Sequence, residues 1–112
     1  MVKEVKRMIV KRTERQGRMF KGVNFLVGAT GERMMVTLMT FKEGQEVGTH
    51  RHPNEQAGYC LQGRFMLTVD GASTVIESED SYVIRGGASH SYRVLEDSLA
   101  VEVFSPPRED YR

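Results

Sequence analysis

Three histidines are the residues of this chain best suited to chemistry, because their spacing fits a single metal ion. His50 and His52 lie two positions apart, and His90 follows a Gly-Gly turn; the 112-residue sequence has no other histidine. Side chains alternate along a β-strand, so a His-x-His pair directs both imidazoles to the same face. Imidazole nitrogens bind several divalent transition metals. The first functional hypothesis is therefore a site for one such ion, with Zn, Ni, Fe and Mn as the candidates.

The elements that must position these histidines are predicted to be short strands separated by turns. Alternating or continuous apolar residues indicate strands at 34–41, 58–61, 64–69, 72–76, 81–84, 91–95 and 99–104. Asp70-Gly71 predicts a hairpin turn, and Gln62-Gly63 and Glu96-Asp97 are predicted to be further turns. Residues 2–12 allow a short helix, which their β-branched content disfavours. Many short strands with regular turns favour an all-β sandwich or barrel.

Composition limits the classes of partner. A chain of 112 residues is long enough for one domain with a real core. Its net charge of +1 gives no general argument for binding nucleic acid or a membrane surface, so neither is expected as a partner. The sequence contains no apolar run of transmembrane length and a single cysteine, Cys60. One cysteine excludes an intrachain disulfide, so a cytoplasmic protein is predicted.

Positive charge is concentrated near the N-terminus, where residues 1–21 carry eight Lys or Arg against two acids. One interpretation is contact with an anionic partner. A solvated edge strand whose lysines oppose aggregation is the favoured alternative, because no aromatic residue interleaves the charges before Phe20. We divide the chain into a basic arm or strand over 1–19 and the main domain over 20–112. A homodimer formed through the N-terminal strands is predicted.

The region around the first two histidines resembles the cupin superfamily. The first motif of that superfamily runs Gly-x5-His-x-His-x3–4-Glu-x6-Gly. This sequence fits the spacing throughout, with Gln in place of Glu, at Gly44, His50, His52, Gln56 and Gly63. A bare His-x-His pair would be a weak signal. The two flanking glycines at the right distances make the resemblance specific.

The second cupin motif is degenerate in this chain but retains Gly87 and His90. The resemblance implies a cupin domain over 20–112, folded as a jelly-roll β-barrel of two packed antiparallel sheets. It also implies a metal ion inside the barrel. The ligands that the resemblance assigns are His50, His52, Gln56 and His90.

The identity of the fourth ligand is open between two adjacent residues. Glu55 and Gln56 point to opposite faces of a regular strand, and the count of six residues before Gly63 favours Gln56. A bulge after His52 would favour Glu55 instead. A site with three imidazoles and an amide leaves the full charge of the ion uncompensated. Such a site favours a small anionic ligand and Lewis-acid chemistry, whereas oxygenase sites commonly include a carboxylate ligand.

A narrower resemblance is to the KdgF-type cupins of pectin and alginate breakdown, which convert 4,5-unsaturated monouronates to linear keto forms. It is carried by the run from Glu55 to Gly63 and by the ending after Glu102. The resemblance implies catalytic roles for Glu102 and Arg108, and substrate-binding roles for Phe104 and Tyr59. That family is expected to have Asp at the position of Glu102, so the carboxyl of this chain extends one methylene further.

These observations lead to one hypothesis about function and two alternatives, and they leave open whether the chain is an enzyme. The leading hypothesis is a metal-binding cupin that opens or isomerises a small unsaturated sugar acid. The first alternative is a non-catalytic cupin module that binds a small anionic molecule. The second is a metal-dependent dioxygenase. For Glu102 and Arg108 the alternative to catalysis is a structural ion pair at a strand end.

Overall fold

A computed structural model of the chain describes residues 8–112, so the possible helix over 2–12 lies mostly outside the described residues. Residues 8–11 have no regular structure, and 12–14 form a single 3-10 turn. Antiparallel strands make up most of the remainder: β1 (Gln16–Phe20), β2 (Val23–Thr30), β3 (Met35–Phe41), β4 (Glu46–His50), β5 (Glu55–Val69), β6 (Ala72–Glu77), β7 (Ser81–Ile84) and β8 (His90–Ser105). A second 3-10 turn follows at Glu109–Tyr111. Across residues 8–112, no helix has the length and apolarity that crossing a membrane requires.

Two long strands, β5 and β8, run through both sheets of a jelly-roll barrel. In one sheet the order is β1-β2-β3-β8-β5-β7, which uses the second half of β8 and the first half of β5. In the other sheet the order is β4-β8-β5-β6, which uses the opposite halves. Sharing two strands lets the sheets fold over one another around a common interior. The all-β jelly roll expected from the sequence is confirmed.

The two predicted turns at Gln62-Gly63 and Glu96-Asp97 are wrong, because β5 and β8 continue through them. The register of this pair shifts between Cys60 and Phe65, so the strands bend here without reversing. Gly63 has φ +101, and a Cβ at that position would lie 2.2 Å from Ser98 Oγ. The glycine that interrupts the strand pattern, and that suggested a turn, therefore forms a β-bulge. The hairpin at Asp70-Gly71 is confirmed, with positive φ at both residues.

The barrel interior is filled by one face of each strand. In β8 every even-numbered residue from His90 to Phe104 is buried except Glu96, which lies at the bend. The core combines aromatic and aliphatic residues from both sheets, including Phe25, Phe41, Phe65, Val94, Ala100 and Phe104. The same face of β8 also carries polar residues toward the interior, so the packing that forms the core determines where those groups lie.

The N-terminal basic segment contributes one edge strand. β1 pairs with β2 from Gln16 opposite Val27 to Phe20 opposite Val23. Arg18 also donates from Nε to the Tyr111 backbone carbonyl at 3.2 Å, which ties β1 to the C-terminal turn. The boundary predicted at residue 19 falls inside β1. The division into an arm and a domain, like the homodimer, stays a prediction.

Candidate metal centre and the pocket beside it

The three histidines come together inside the barrel. His50 ends β4 and His90 begins β8, and the two residues face each other across the strand pair. His52 follows in the loop after β4. One candidate ligand atom from each imidazole lies within 4.8 Å of the other two. Two nitrogens bound to one ion at about 2.1 Å can be at most about 4.2 Å apart, so shifts under about 1 Å would let all three share an ion.

All three imidazole rings make the same kind of hydrogen bond to the backbone. Each Nδ1 lies at hydrogen-bond distance from a backbone carbonyl two residues away: 2.9 Å for His50 to Gly48, 3.1 Å for His52 to Asn54, and 3.0 Å for His90 to Ala88. A carbonyl only accepts, so each Nδ1 carries the proton and each Nε2 has a free lone pair. Metal-ligating histidines are normally held by such a bond from the non-ligating nitrogen.

The electrostatics of the cluster also suit a cation. Burial lowers the pKa of His50 and His90, and burial followed by the positive charge of Arg108 lowers the pKa of His52 to about 4. All three rings are therefore neutral near pH 7, which is the form that binds metal. His90 Nε2 is buried without a hydrogen-bond partner among the described residues. An orphaned buried acceptor that faces two other imidazole lone pairs fits a metal ion.

Gln56 is the residue that joins the cluster, and Glu55 is not. Gln56 is 2% exposed on the interior face of β5, whereas the adjacent Glu55 is exposed on the outer face. Gln56 Oε1 lies 3.1 Å from His52 Nε2. With the ring proton on Nδ1, two acceptors face each other here, and a cation bound to both would remove the conflict. β5 pairs regularly with β8 from Glu55 to Cys60, so side-chain alternation puts Gln56 inside and Glu55 outside.

Glu102 lies at the other end of a hydrogen-bonded chain that starts at Gln56. Gln56 Nε2 donates to Tyr92 Oη at 2.8 Å, and the Tyr92 hydroxyl donates to Glu102 Oε2 at 2.8 Å. The Tyr82 hydroxyl donates to the same Oε2 at 2.5 Å. Glu102 is 2% exposed, and burial raises its pKa although interactions with Tyr82, Tyr92 and Gln56 act in the opposite direction. Because the raised pKa favours its protonated form, this buried carboxyl can take up a proton and return it.

A glycine makes room for one of these tyrosines. Gly58 is paired with Tyr82 of β7 on one side and with Glu102 of β8 on the other. A Cβ at Gly58 would lie 2.0 Å from Tyr82 Cζ, so the tyrosine ring occupies the space that any other residue would fill. Glycine in the middle of a strand often marks such a close approach. Gly58 thereby lets the Tyr82 hydroxyl cross β5 and reach Glu102.

Arg108 lies beside the pocket but pairs with an aspartate and not with Glu102. Its Nε and Nη2 donate to the two carboxylate oxygens of Asp110 at 3.1 and 2.8 Å. The guanidinium carbon lies 4.4 Å from the centroid of the Tyr111 ring, and 5.4 and 5.5 Å from those of Phe20 and Phe104. Aromatic faces and one carboxylate therefore hold the cation in place.

The pocket between the histidines and the C-terminal turn encloses about 330 Å³ of empty space, counted out to its mouth. Its lining includes His50, His52, Gln56, Glu102, Phe104 and Arg108. Phe104 is 1% exposed, and its ring packs edge-on against His52 with centroids 5.8 Å apart. The cavity itself has a volume of about 20 Å³, which is room for about one water molecule, and the rest of the space belongs to its open mouth.

The structure corrects the substrate-binding role predicted for Tyr59. This tyrosine is 41% exposed on the outer face of the sheet, because it follows the inward Gly58 and side chains alternate along β5. Two other tyrosines, Tyr82 and Tyr92, extend their hydroxyls into the interior and reach Glu102. A usable signal was present for Tyr92, which shares strand parity with His90 and Glu102. Nothing in the sequence indicated Asp110.

The fold and the site together define a metal-binding jelly-roll protein. The sequence profile of the cupin-domain family matches residues 37–105. The chain belongs to this family, and the three-histidine cluster is the metal site that such a member offers.

Three relatives give the likeness more detail. The pectin degradation protein KdgF of Dickeya dadantii is 24% identical over 92 residues, which cover 80% of this chain and 84% of the relative. The structure of KdgF from a Halomonas species superposes with a TM-score of 0.83 at 26% identity, covering 93% of this chain and 97% of that one. An H2HPP isomerase of Bacillus subtilis is 33% identical over 67 residues, or 58% of this chain. That match spans only 28% of the isomerase.

Proposed function

We propose that this cupin is an isomerase that opens the ring of a small unsaturated sugar acid. The observation that carries the proposal is the buried carboxyl of Glu102, which lines the same pocket as the metal cluster. The likeness to KdgF over most of both chains supports the substrate class. The metal ligands are proposed to be His50, His52, His90 and the amide oxygen of Gln56.

The role proposed for Glu102 is to move one proton. Opening the ring of a 4,5-unsaturated uronate breaks the bond between the ring oxygen and the anomeric carbon. A proton leaves the anomeric hydroxyl, and a proton is added to the enol carbon as the enol becomes a ketone. The formula does not change, so one group that takes a proton and returns it completes the reaction. Because both tyrosines bond Oε2, the Oε1 atom of Glu102 is the one left to exchange the proton.

Glu102 is one methylene longer than the expected Asp, and hydrogen bonds hold both its carboxyl and its backbone. Its carboxyl lies between two phenol hydroxyls that hold it at one fixed position. The backbone is held as well, because Thr37 Oγ1 donates to the Glu102 carbonyl at 2.8 Å. A longer side chain that is fixed at both ends retains the positional precision that proton transfer needs.

Arg108 is proposed to bind the substrate carboxylate, with a divalent ion at the histidines supplying positive charge that polarises a substrate oxygen. Asp110 already occupies the Nε and Nη2 side of the guanidinium. The substrate carboxylate therefore binds through the remaining Nη1 and the second hydrogen of Nη2. Phe104 forms the apolar wall against which the sugar ring lies.

The test is ring opening of unsaturated galacturonate or guluronate monomer by metal-loaded protein, followed as loss of ultraviolet absorbance. We expect acceleration over buffer in the unaltered chain and loss of most of it in Glu102→Gln. Glu96→Gln is the matched control, since Glu96 is an exposed carboxyl on the same strand that pairs with Arg64. Undiminished turnover by Glu102→Gln would exclude Glu102 as the proton carrier.

Absence of acceleration over buffer would overturn the proposed reaction. Binding of a small carboxylic acid without turnover would then favour the non-catalytic module. Oxygen uptake with a reduced substrate would favour the dioxygenase, although Glu102, a carboxyl that lines the pocket, is engaged by two tyrosines. The H2HPP isomerase relative makes H2HPP the second compound to assay.

A further inference from the structure

We propose that Tyr92 is the residue that orients Gln56 as an oxygen donor to the metal, and that it thereby sets the affinity of the site. The inference rests on the metal centre of the proposed function, with Gln56 as fourth ligand, but not on the proposed reaction. The amide end of Gln56 is close to His52, and nothing in the covalent structure of glutamine decides which of its two polar atoms faces the cluster.

The two orientations of the amide differ sharply in their effect on a cation. With Oε1 toward His52, the amide offers a lone pair beside the imidazole Nε2 atoms. With the amide reversed, the NH₂ group would donate to the His52 Nε2 lone pair and would present hydrogens to the ion. The reversed amide therefore removes one ligand and blocks another. Gln56 is 2% exposed, so its partners inside the barrel must decide between the two.

Tyr92 decides through the polarity of its hydroxyl. A phenol has one hydrogen, and that hydrogen points to Glu102 Oε2 at 2.8 Å. The Tyr92 oxygen is left as an acceptor, and the Gln56 NH₂ group donates to it at 2.8 Å. This bond turns the NH₂ away from the histidines and so directs Oε1 toward them.

The direction in which the Tyr92 hydroxyl donates does not depend on whether Glu102 is ionised. Tyr82 and Tyr92 both donate to Oε2, so a proton on the carboxyl would lie on the other oxygen, Oε1. The Tyr92 hydroxyl therefore keeps its direction through a catalytic proton transfer. A site that exchanges a proton at one end can hold its metal ligand unchanged at the other.

Tyr82 provides a matched control. It is also a tyrosine of the barrel interior that donates to Glu102 Oε2, at 2.5 Å, but its hydroxyl has no hydrogen bond with Gln56. Tyr82→Phe removes a hydrogen bond from the carboxyl and leaves the amide held. Tyr92→Phe removes both a bond to the carboxyl and the acceptor for the amide.

The experiment is titration of metal-free protein with Zn²⁺, with dissociation constants measured for the unaltered chain, Tyr92→Phe and Tyr82→Phe. We expect Tyr92→Phe to bind about 10–100-fold more weakly, the usual effect of losing a group that orients a metal ligand. Tyr82→Phe should bind like the unaltered chain. In Co²⁺-loaded protein, the visible absorption bands should shift in Tyr92→Phe only.

A double-mutant cycle separates orientation from general damage. In Gln56→Glu the ligand is a carboxylate with two equivalent oxygens, so no orientation has to be chosen. Tyr92→Phe should then weaken Zn²⁺ binding much less than it does beside Gln56. Equal weakening in both backgrounds, equal weakening by Tyr82→Phe, or no weakening by Tyr92→Phe would each overturn the inference. An unaltered chain that binds no Zn²⁺ would overturn the metal centre itself, whereas one that binds Zn²⁺ without turnover would overturn only the proposed reaction.

Discussion

A series of interior polar side chains runs from the histidines through Gln56 and Tyr92 to Glu102. Its histidine end and its carboxyl end differ in how many hydrogen-bond partners the protein supplies. At the histidine end, His90 Nε2 has no partner in the described part of the chain, and His52 Nε2 faces the oxygen of Gln56. At the carboxyl end, Glu102 Oε2 accepts hydrogen bonds from two tyrosines. The protein thus completes one end with its own side chains and leaves the other to be completed by a ligand. Buried polar groups are normally paired, so the unpaired end is where a bound ion is expected.

The largest effect on stability should come from replacing Glu102, at the carboxyl end. Glu102→Ala leaves two buried phenol hydroxyls without an acceptor and creates a cavity, so the free energy of unfolding should fall by about 2–5 kcal/mol. Glu102→Gln retains an acceptor oxygen and should cost less. Urea unfolding of metal-free protein measures both. Equal stability of Glu102→Ala and the unaltered chain would contradict the view that this end is structurally satisfied.

The next effect comes from breaking the incomplete end. His90→Gln should weaken Zn²⁺ binding by more than about 100-fold, since even residues outside the ligand set cost about 10–100-fold. In metal-free protein the same change should destabilise less than Glu102→Ala, because only the bond from His90 Nδ1 to the Ala88 carbonyl is lost and Nε2 has none to lose. Isothermal titration gives the affinity, and urea unfolding gives the stability. A variant that retains full Zn²⁺ affinity would show that the cluster is not the metal site.

A smaller effect is expected at the glycine that completes the carboxyl end. Gly58→Ala should destabilise by about 1–3 kcal/mol, because its Cβ overlaps the Tyr82 ring. Gly17→Ala in β1 is the control, since a Cβ there meets nothing within 4 Å. In a Tyr82→Ala background the cost of Gly58→Ala should shrink. If the losses of stability from Gly58→Ala and Tyr82→Ala simply add in the double variant, the cost of Gly58→Ala does not come from overlap with the Tyr82 ring.

The smallest effect is expected in how the free energy of unfolding depends on pH. The histidines and Glu102 change this free energy in opposite directions as the pH rises. The histidines have lowered pKa values in the folded chain, so their contribution to stability falls as pH drops below about 6.5. Glu102 has a raised pKa, so its contribution falls as pH rises from about 4.5. In metal-free protein these trends partly cancel.

Glu102→Gln removes the second trend, and its unfolding free energy should therefore rise more steeply with pH over that interval. Urea unfolding of metal-free protein at several pH values between 4.5 and 6.5 measures the two slopes. Parallel pH curves for the variant and the unaltered chain would argue against a raised pKa for Glu102.

Sequence patterns predicted the histidine end better than the carboxyl end, for a physical reason. A His-x-His pair and a glycine-flanked motif are local, since strand alternation alone puts both rings on one face. The tyrosines that hold Glu102 come from β7 and β8, and their convergence depends on strand register and on the space left by Gly58. Glu102 and Phe104 are two residues apart in β8, so alternation puts both on one face, and both are buried. Tyr59 lies outside because it is three residues from Gln56, and residues an odd number apart point to opposite faces of a strand.

The sequence by itself determined the strand periodicity, the hairpin at Asp70-Gly71, the family resemblance and the set of imidazoles. These follow from side-chain alternation, turn chemistry and spacing along the chain. Only the tertiary structure decided that β5 and β8 bend and continue, that Gln56 and not Glu55 faces the cluster, and that Asp110 pairs with Arg108. Each of these depends on which strands lie beside one another and on their register, because an interior hydrogen bond joins atoms that the chain brings together only when both sheets have closed.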